Sequence, residues 1–156
     1  MPGTTPPPID AALRQLRAAI AGAADADAAL RSVVRILSAA HPHFTWTGIY
    51  LLEAETLVLH NQVGAPTPHA RIPVGNGICG LAARENRTVV VPDVTKDARY
   101  LACSLATRSE IVVPIRRGDR VLGEIDVDSD QPDAFGDADR ILLEAIADDL
   151  ARMLTP

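Results

Sequence analysis

Residues 110–129 read EIVVPIRRGDRVLGEIDVDS, and the alternation inside this stretch decides the fold class. Ile111, Val113 and Ile115 fall on one face of a first strand, and Val121, Ile125 and Val127 on one face of a second,. Arg117-Gly118-Asp119 lies between them and reads as the turn of an antiparallel hairpin. Both apolar sets carry odd numbers. For them to share one buried face, the numbers of each cross-strand pair must sum to an even value. A plain two-residue loop at Gly118-Asp119 gives odd sums and splits the apolar set. The pattern therefore predicts an odd-length loop or a bulge, with Gly118 free to take a positive φ.

That parity has a chemical consequence. Glu110, Glu124, Asp126 and Asp128 all fall together on the opposite face. One reading is a solvated acidic face. The other is a cluster whose members cannot all ionise cheaply, so that at least one pKa is raised. Such a group donates a proton near neutral pH or, as an anion, binds an ammonium.

Working outward, Phe44–Leu52 (FTWTGIYLL) reads as another strand and Thr56–Val63 as its hairpin partner,. Trp46, Gly48 and Tyr50 share one face, and the two aromatic residues serve either the core or the wall of a small-ligand pocket. Gly64–Pro73 reads as a loop, Leu81–Glu85 as a short helix and Thr88–Val91 as a short strand. Asp93–Arg108 is polar, with a helical turn expected at Tyr100–Leu105. Helical periodicity marks a first helix from Ile9 to Gly22. A second is capped by Asp25 or Asp27 and stops near His41-Pro42. The last runs over Gly136–Leu154, with Asp137 as the expected N-cap,. This order gives an α+β domain: one mainly antiparallel sheet with the terminal helices on one face and loops on the other.

Composition narrows the function. The chain has 156 residues, 47% apolar and 3% aromatic, and a formal net charge of −5 from 15 basic and 20 acidic side chains. A single globular domain over 9–156 is expected, preceded by a disordered Pro-rich stretch at 1–8. The acidic balance and the lack of a Lys/Arg cluster argue against a nucleic-acid partner. No apolar run approaches the roughly 20 residues of a membrane span. MPGTTPPPID has no secretory signature, so cytoplasmic residence is the default expectation.

Cys79 and Cys103 are the only two cysteines. Their spacing is not that of a zinc framework, and they are either inert buried thiols or redox groups. Gly75–Gly80 (GNGICG) matches the dinucleotide fingerprint G-x-G-x-x-G, but the strand before it contains Pro73 and hairpins surround it, so the required parallel βαβ unit is missing. The loop reads instead as a tight turn that brings backbone, and Cys79, towards a pocket. His41 and His43 flank a proline at a helix end, which fits capping or exposure better than metal ligation.

WTGIYLL, RIPVGNGICG, YLACSLATRSEIVVPI, GEIDVDS and the closing FGDADRILLEAIADDLARML together resemble the GAF-domain family, and within it the free methionine-(R)-sulfoxide reductases. The resemblance implies a GAF fold with a loop-covered ligand pocket. It implies that Cys103 is the catalytic cysteine and Cys79 the cysteine of the glycine loop. Glu110, Asp126 and Asp128 would hold the substrate amino group and assist at the sulfoxide oxygen, with Trp46 and Tyr50 walling the methyl end. It further implies free methionine sulfoxide as substrate, a thioredoxin-type thiol reductant, a homodimer, and no bound metal or cofactor. His69 stands where the family often has a resolving cysteine, Ser104 where it tends to have Asp, and Glu124 where it is usually apolar. The rival expectation is a GAF module that binds or senses a small molecule without catalysis.

Overall fold

A computed structural model describes residues 9–100 and 106–155. The sheet has six strands in the order β3-β2-β1-β6-β5-β4, and every neighbouring pair is antiparallel. The strands are β1 (Trp46–Glu53), β2 (Thr56–Val63), β3 (Arg71–Pro73), β4 (Val89–Val91), β5 (Ser109–Arg117) and β6 (Arg120–Ser129). The helices are α1 (Ile9–Gly22), α2 (Ala26–Ala40), α3 (Gly77–Glu85) and α4 (Asp137–Leu154). Among the described residues no helix is long and apolar enough to cross a membrane.

The β5–β6 hairpin resolves the parity problem with a bulge. The turn itself is the two residues Gly118-Asp119, with Gly118 at φ +57°. The register then shifts: Arg116 faces Val121, but Ile115 faces Gly123, which leaves Leu122 as the extra residue. Beyond the inserted residue the sums are even, so Glu110 pairs with Asp128 and Val112 with Asp126, whereas Val121, on the turn side of the bulge, packs with the opposite face and not with Ile125 and Val127 as expected,. Ile111, Val113, Ile115, Ile125 and Val127 consequently all enter one core against α1, α2 and α4, packing on Leu16, Leu37, Leu143, Ile146 and Leu150. The other sheet face carries a second core, built from Tyr50, Leu57, Ile72, Val112 and the apolar side of α3.

Several boundaries differ from the sequence expectation. The stretch expected as a loop over Gly64–Pro73 ends in β3, a three-residue edge strand on β2; a proline is tolerated there because an edge needs no further donor,. Helix α3 begins at Gly77 rather than Leu81, which puts Cys79 in its first turn. The N-cap of α4 is Gly136, not Asp137, and the Asp139 carboxylate accepts from the Gly136 N–H at 3.0 Å,. Asp25 caps α2 as expected, accepting from Ala28 N–H at 2.8 Å. His41 ends α2, its ring Nδ1–H donating to the Leu37 carbonyl at 2.9 Å. The dinucleotide reading fails on topology, since β3 is antiparallel to its neighbour and no parallel crossover leads through α3. The helical turn expected at 100–105 falls almost wholly outside the described residues, as does the stretch 1–8.

Candidate active site

The bulge that aligns the core face also aligns the acids. Asp128, Asp126 and Glu124 follow one another along β6 at every second residue, opposite Trp46, Gly48 and Tyr50 of β1. On the other side they face Glu110, Val112 and Pro114 of β5. Helix α3 and the second core close over this face, so the acids are not solvated: Glu110, Glu124, Asp126 and Asp128 are 3%, 0%, 0% and 1% exposed. That outcome overturns the reading of a solvated acidic face.

Burial raises all four carboxyl groups, and the Asp126 charge adds to it for the other three. Glu110 and Asp128 are pushed well above the ordinary range by loss of solvent and then by the Asp126 charge,. Glu124 is raised for the same two reasons. Asp126 is raised by burial, offset in part by hydrogen bonds from Glu110 and Cys79. Burial and the two neighbouring aspartates all favour the neutral form of Glu110,. The Cys79 thiol donates to Asp126 Oδ2 at 3.2 Å, and Thr107 Oγ1 donates to Asp128 Oδ2 at 3.4 Å. No described N–H or hydroxyl donates to Asp126 Oδ1, Asp128 Oδ1 or either oxygen of Glu124.

Cys79 arrives here because its glycine loop is tight. Gly75 and Gly77 have φ of +95° and +63°, and a Cβ on Gly80 would lie 2.8 Å from the Pro73 carbonyl oxygen,. That close packing drops the first turn of α3 onto β6. A helix N-terminus ordinarily favours a thiolate. Here burial and the neighbouring acids win, and the Cys79 thiol is held well above its ordinary value.

Beside Asp128 a cavity of about 140 Å³ opens, lined by Trp46 with Thr45, Ala65, Ala106, Thr107 and Asp130. Its indole wall is anchored through the ring nitrogen. Trp46 Nε1–H donates to Gln62 Oε1 at 2.8 Å and to the Ala65 carbonyl at 2.9 Å. The ring fits because two neighbours lack side chains: a Cβ on Gly48 would lie 2.4 Å from its Cη2, and one on Gly64 2.8 Å from its Cδ1. Trp46 is thus a pocket wall. Tyr50 is a core residue, wholly buried, whose hydroxyl donates to the His69 carbonyl at 2.8 Å and ties the 64–70 loop down.

The structure thus brings together Cys79, Glu110, Asp126 and Asp128, with Trp46 at the open end. Cys103 lies outside the described residues. Gly64, Gln62 and Thr107 escaped the sequence reading. Gly64 was legible only as a loop residue, and the other two carry no local signal.

An antiparallel six-stranded sheet with helices behind it and a small pocket in front defines a compact ligand-pocket domain, and the chain belongs to the GAF-domain family, whose model matches residues 9–154. It is 36% identical over 104 residues to GAF domain-containing protein A of Dictyostelium discoideum, covering 67% of this chain and 66% of that protein. Within the family its likeness is to the free methionine-R-sulfoxide reductases. The Escherichia coli protein of that name is 34% identical over 141 residues, 90% of this chain and 85% of its own. The crystal structure of free methionine-R-sulfoxide reductase from Neisseria meningitidis in complex with its substrate superposes with a TM-score of 0.87 at 35% identity, covering 93% of this chain and 87% of that one.

Proposed function

We propose that the protein is a thiol-dependent oxidoreductase that reduces free methionine-(R)-sulfoxide to methionine. The observation that carries this reading is the buried cluster of Glu110, Asp126 and Asp128 beside a cavity walled by Trp46. A free amino acid presents an ammonium, which suits buried carboxyl groups that become anions when a cation enters. A methyl sulfoxide presents a small apolar end for the indole and an oxygen that a carboxylic acid can protonate.

Cys103 attacks the sulfoxide sulfur as the thiolate. One raised acid of the cluster gives its proton to the oxygen, which leaves on the Cys103 sulfur. Methionine departs, and Cys103 is left as sulfenic acid, oxidised by two electrons as the substrate sulfur is reduced by two. Cys79 then resolves it: the Cys79 proton passes to Asp126, already its acceptor at 3.2 Å, the Cys79 sulfur displaces hydroxide from the Cys103 sulfur, and a protonated carboxyl of the cluster gives its proton to that hydroxide, so the Cys79–Cys103 disulfide forms with loss of water,. A thioredoxin-type reductant regenerates both thiols, and the working unit is a homodimer in the cytoplasm.

A single turnover tests the reading. Fully reduced protein is mixed with free methionine-(R)-sulfoxide and no reductant, and methionine and thiols are counted. One methionine with two thiols lost per chain supports the whole scheme. One methionine with a dimedone-trapped sulfenic acid supports the reductase but moves resolution to an outside thiol. No methionine, with both thiols intact, refutes it in favour of a non-catalytic small-molecule-binding GAF module.

A further inference from the structure

We propose that Cys79, Glu110 and Asp126 form a binding site for a divalent ion of the zinc class. One ligand atom from each of these three residues lies within 4.8 Å of the others, and all three side chains are buried. They come from three packed elements, α3, β5 and β6, so the separation is set by the fold rather than by mobile side chains. The linear spacing of the cysteines speaks against a Cys/His framework, but it does not address a site that draws one thiol and two carboxylates from distant parts of the chain.

A second feature points to a cationic guest. Asp126 Oδ1 receives no hydrogen bond from any described N–H or hydroxyl, and Asp126 is 0% exposed. The same holds for both oxygens of Glu124, two residues along β6, and for Asp128 Oδ1, two residues the other way. A dication at the cluster would satisfy the Asp126 oxygen directly. It would also compensate the anionic forms of Glu110, Asp126 and Cys79 that burial otherwise disfavours.

The donor set selects the ion. Mg²⁺ and Ca²⁺ take all-oxygen shells, whereas a thiolate with two carboxylates suits a borderline ion such as Zn²⁺ or Co²⁺. Three protein ligands would leave one tetrahedral position for a water or other small ligand. An ion held there displaces the Cys79 proton and occupies the acidic floor. On the proposed reaction, which the site itself does not require, the loaded protein is inhibited.

The test uses Co²⁺ as the probe on the reduced, metal-free chain under nitrogen. The expected result is one Co²⁺ per chain with a near-ultraviolet sulfur-to-cobalt absorption, reversed by Zn²⁺. That absorption persists in Cys103→Ser and is lost in Cys79→Ala. Asp126→Asn, which keeps the thiol, weakens binding about a hundredfold. In the unaltered chain, affinity rises with pH, roughly tenfold per unit for each proton displaced. The proposal is overturned by saturation without the sulfur band, by a band that survives Cys79→Ala or needs Cys103, or by affinity indifferent to pH. Single-turnover methionine release by the metal-free chain is measured in parallel, so a failure of the reductase reading is seen separately from a failure of the metal site.

Discussion

Replacing Glu124 with glutamine removes one buried proton and leaves nearly the same shape. Glu124 has no exposed surface, no described N–H or hydroxyl donor, and a carboxyl pushed well above its ordinary 4.5, first by burial and then by Asp126, against a smaller lowering by Cys79. Unfolding returns it to water, where it ionises normally. Between the unfolded pKa and the raised folded one, the native state thus holds a proton that the unfolded state has lost. Stability must fall as pH rises through this window, by about 1.4 kcal/mol per pH unit for one fully retained proton. The glutamine side chain has no such proton to lose. The expected outcome is that the difference in unfolding free energy, variant minus unaltered, grows with pH at up to that slope. The assay is urea denaturation from pH 5 to pH 7 with excess reductant. His41, whose pKa is lowered chiefly by burial, drives stability the opposite way with pH, but it is common to both proteins and cancels. A difference that stays constant across the range would refute the argument, because it would mean that Glu124 ionises in the fold as readily as in water.

Gly48→Ala sets a Cβ 2.4 Å from the Trp46 ring and must move the indole off Gln62 and Ala65. The expected loss is about 0.5–1.5 kcal/mol, the net worth of one neutral N–H hydrogen bond shared between two acceptors, with a red-shifted emission from the chain's single tryptophan; unchanged emission would contradict the packing,. Native Cys79 should resist iodoacetamide at pH 8, being buried and held as the thiol beside Asp126, and should react once the chain is unfolded in urea,. Peptide mass spectrometry reads this directly, and rapid native labelling of Cys79 would count against the closed site.

Much of the fold is legible in local pattern. Two-residue alternation gives the β1–β2 and β5–β6 hairpins, three- and four-residue recurrence gives α1, α2 and α4, and Asp25 marks a cap. What escapes is what local pattern underdetermines. β3 is three residues long and is ordered by β2 rather than by its own sequence. The start of α3 at Gly77 depends on Gly75 and Gly80 fitting against Pro73, a contact that glycine makes possible but does not announce.

The acids show where the division falls. Parity along β5 and β6 by itself determined that Glu110, Glu124, Asp126 and Asp128 share one face, because side chains alternate strictly and the apolar set must be kept together. Parity fixes relative faces only, and it leaves open which face meets water. That was decided by α3, which the glycine loop lays over β6, excluding solvent and raising every carboxyl beneath it. The same covering distinguishes Trp46 from Tyr50. They are equivalent in sequence register, yet one borders a cavity and the other is sealed in the core, because only the tertiary packing sets how far the second layer extends along β1.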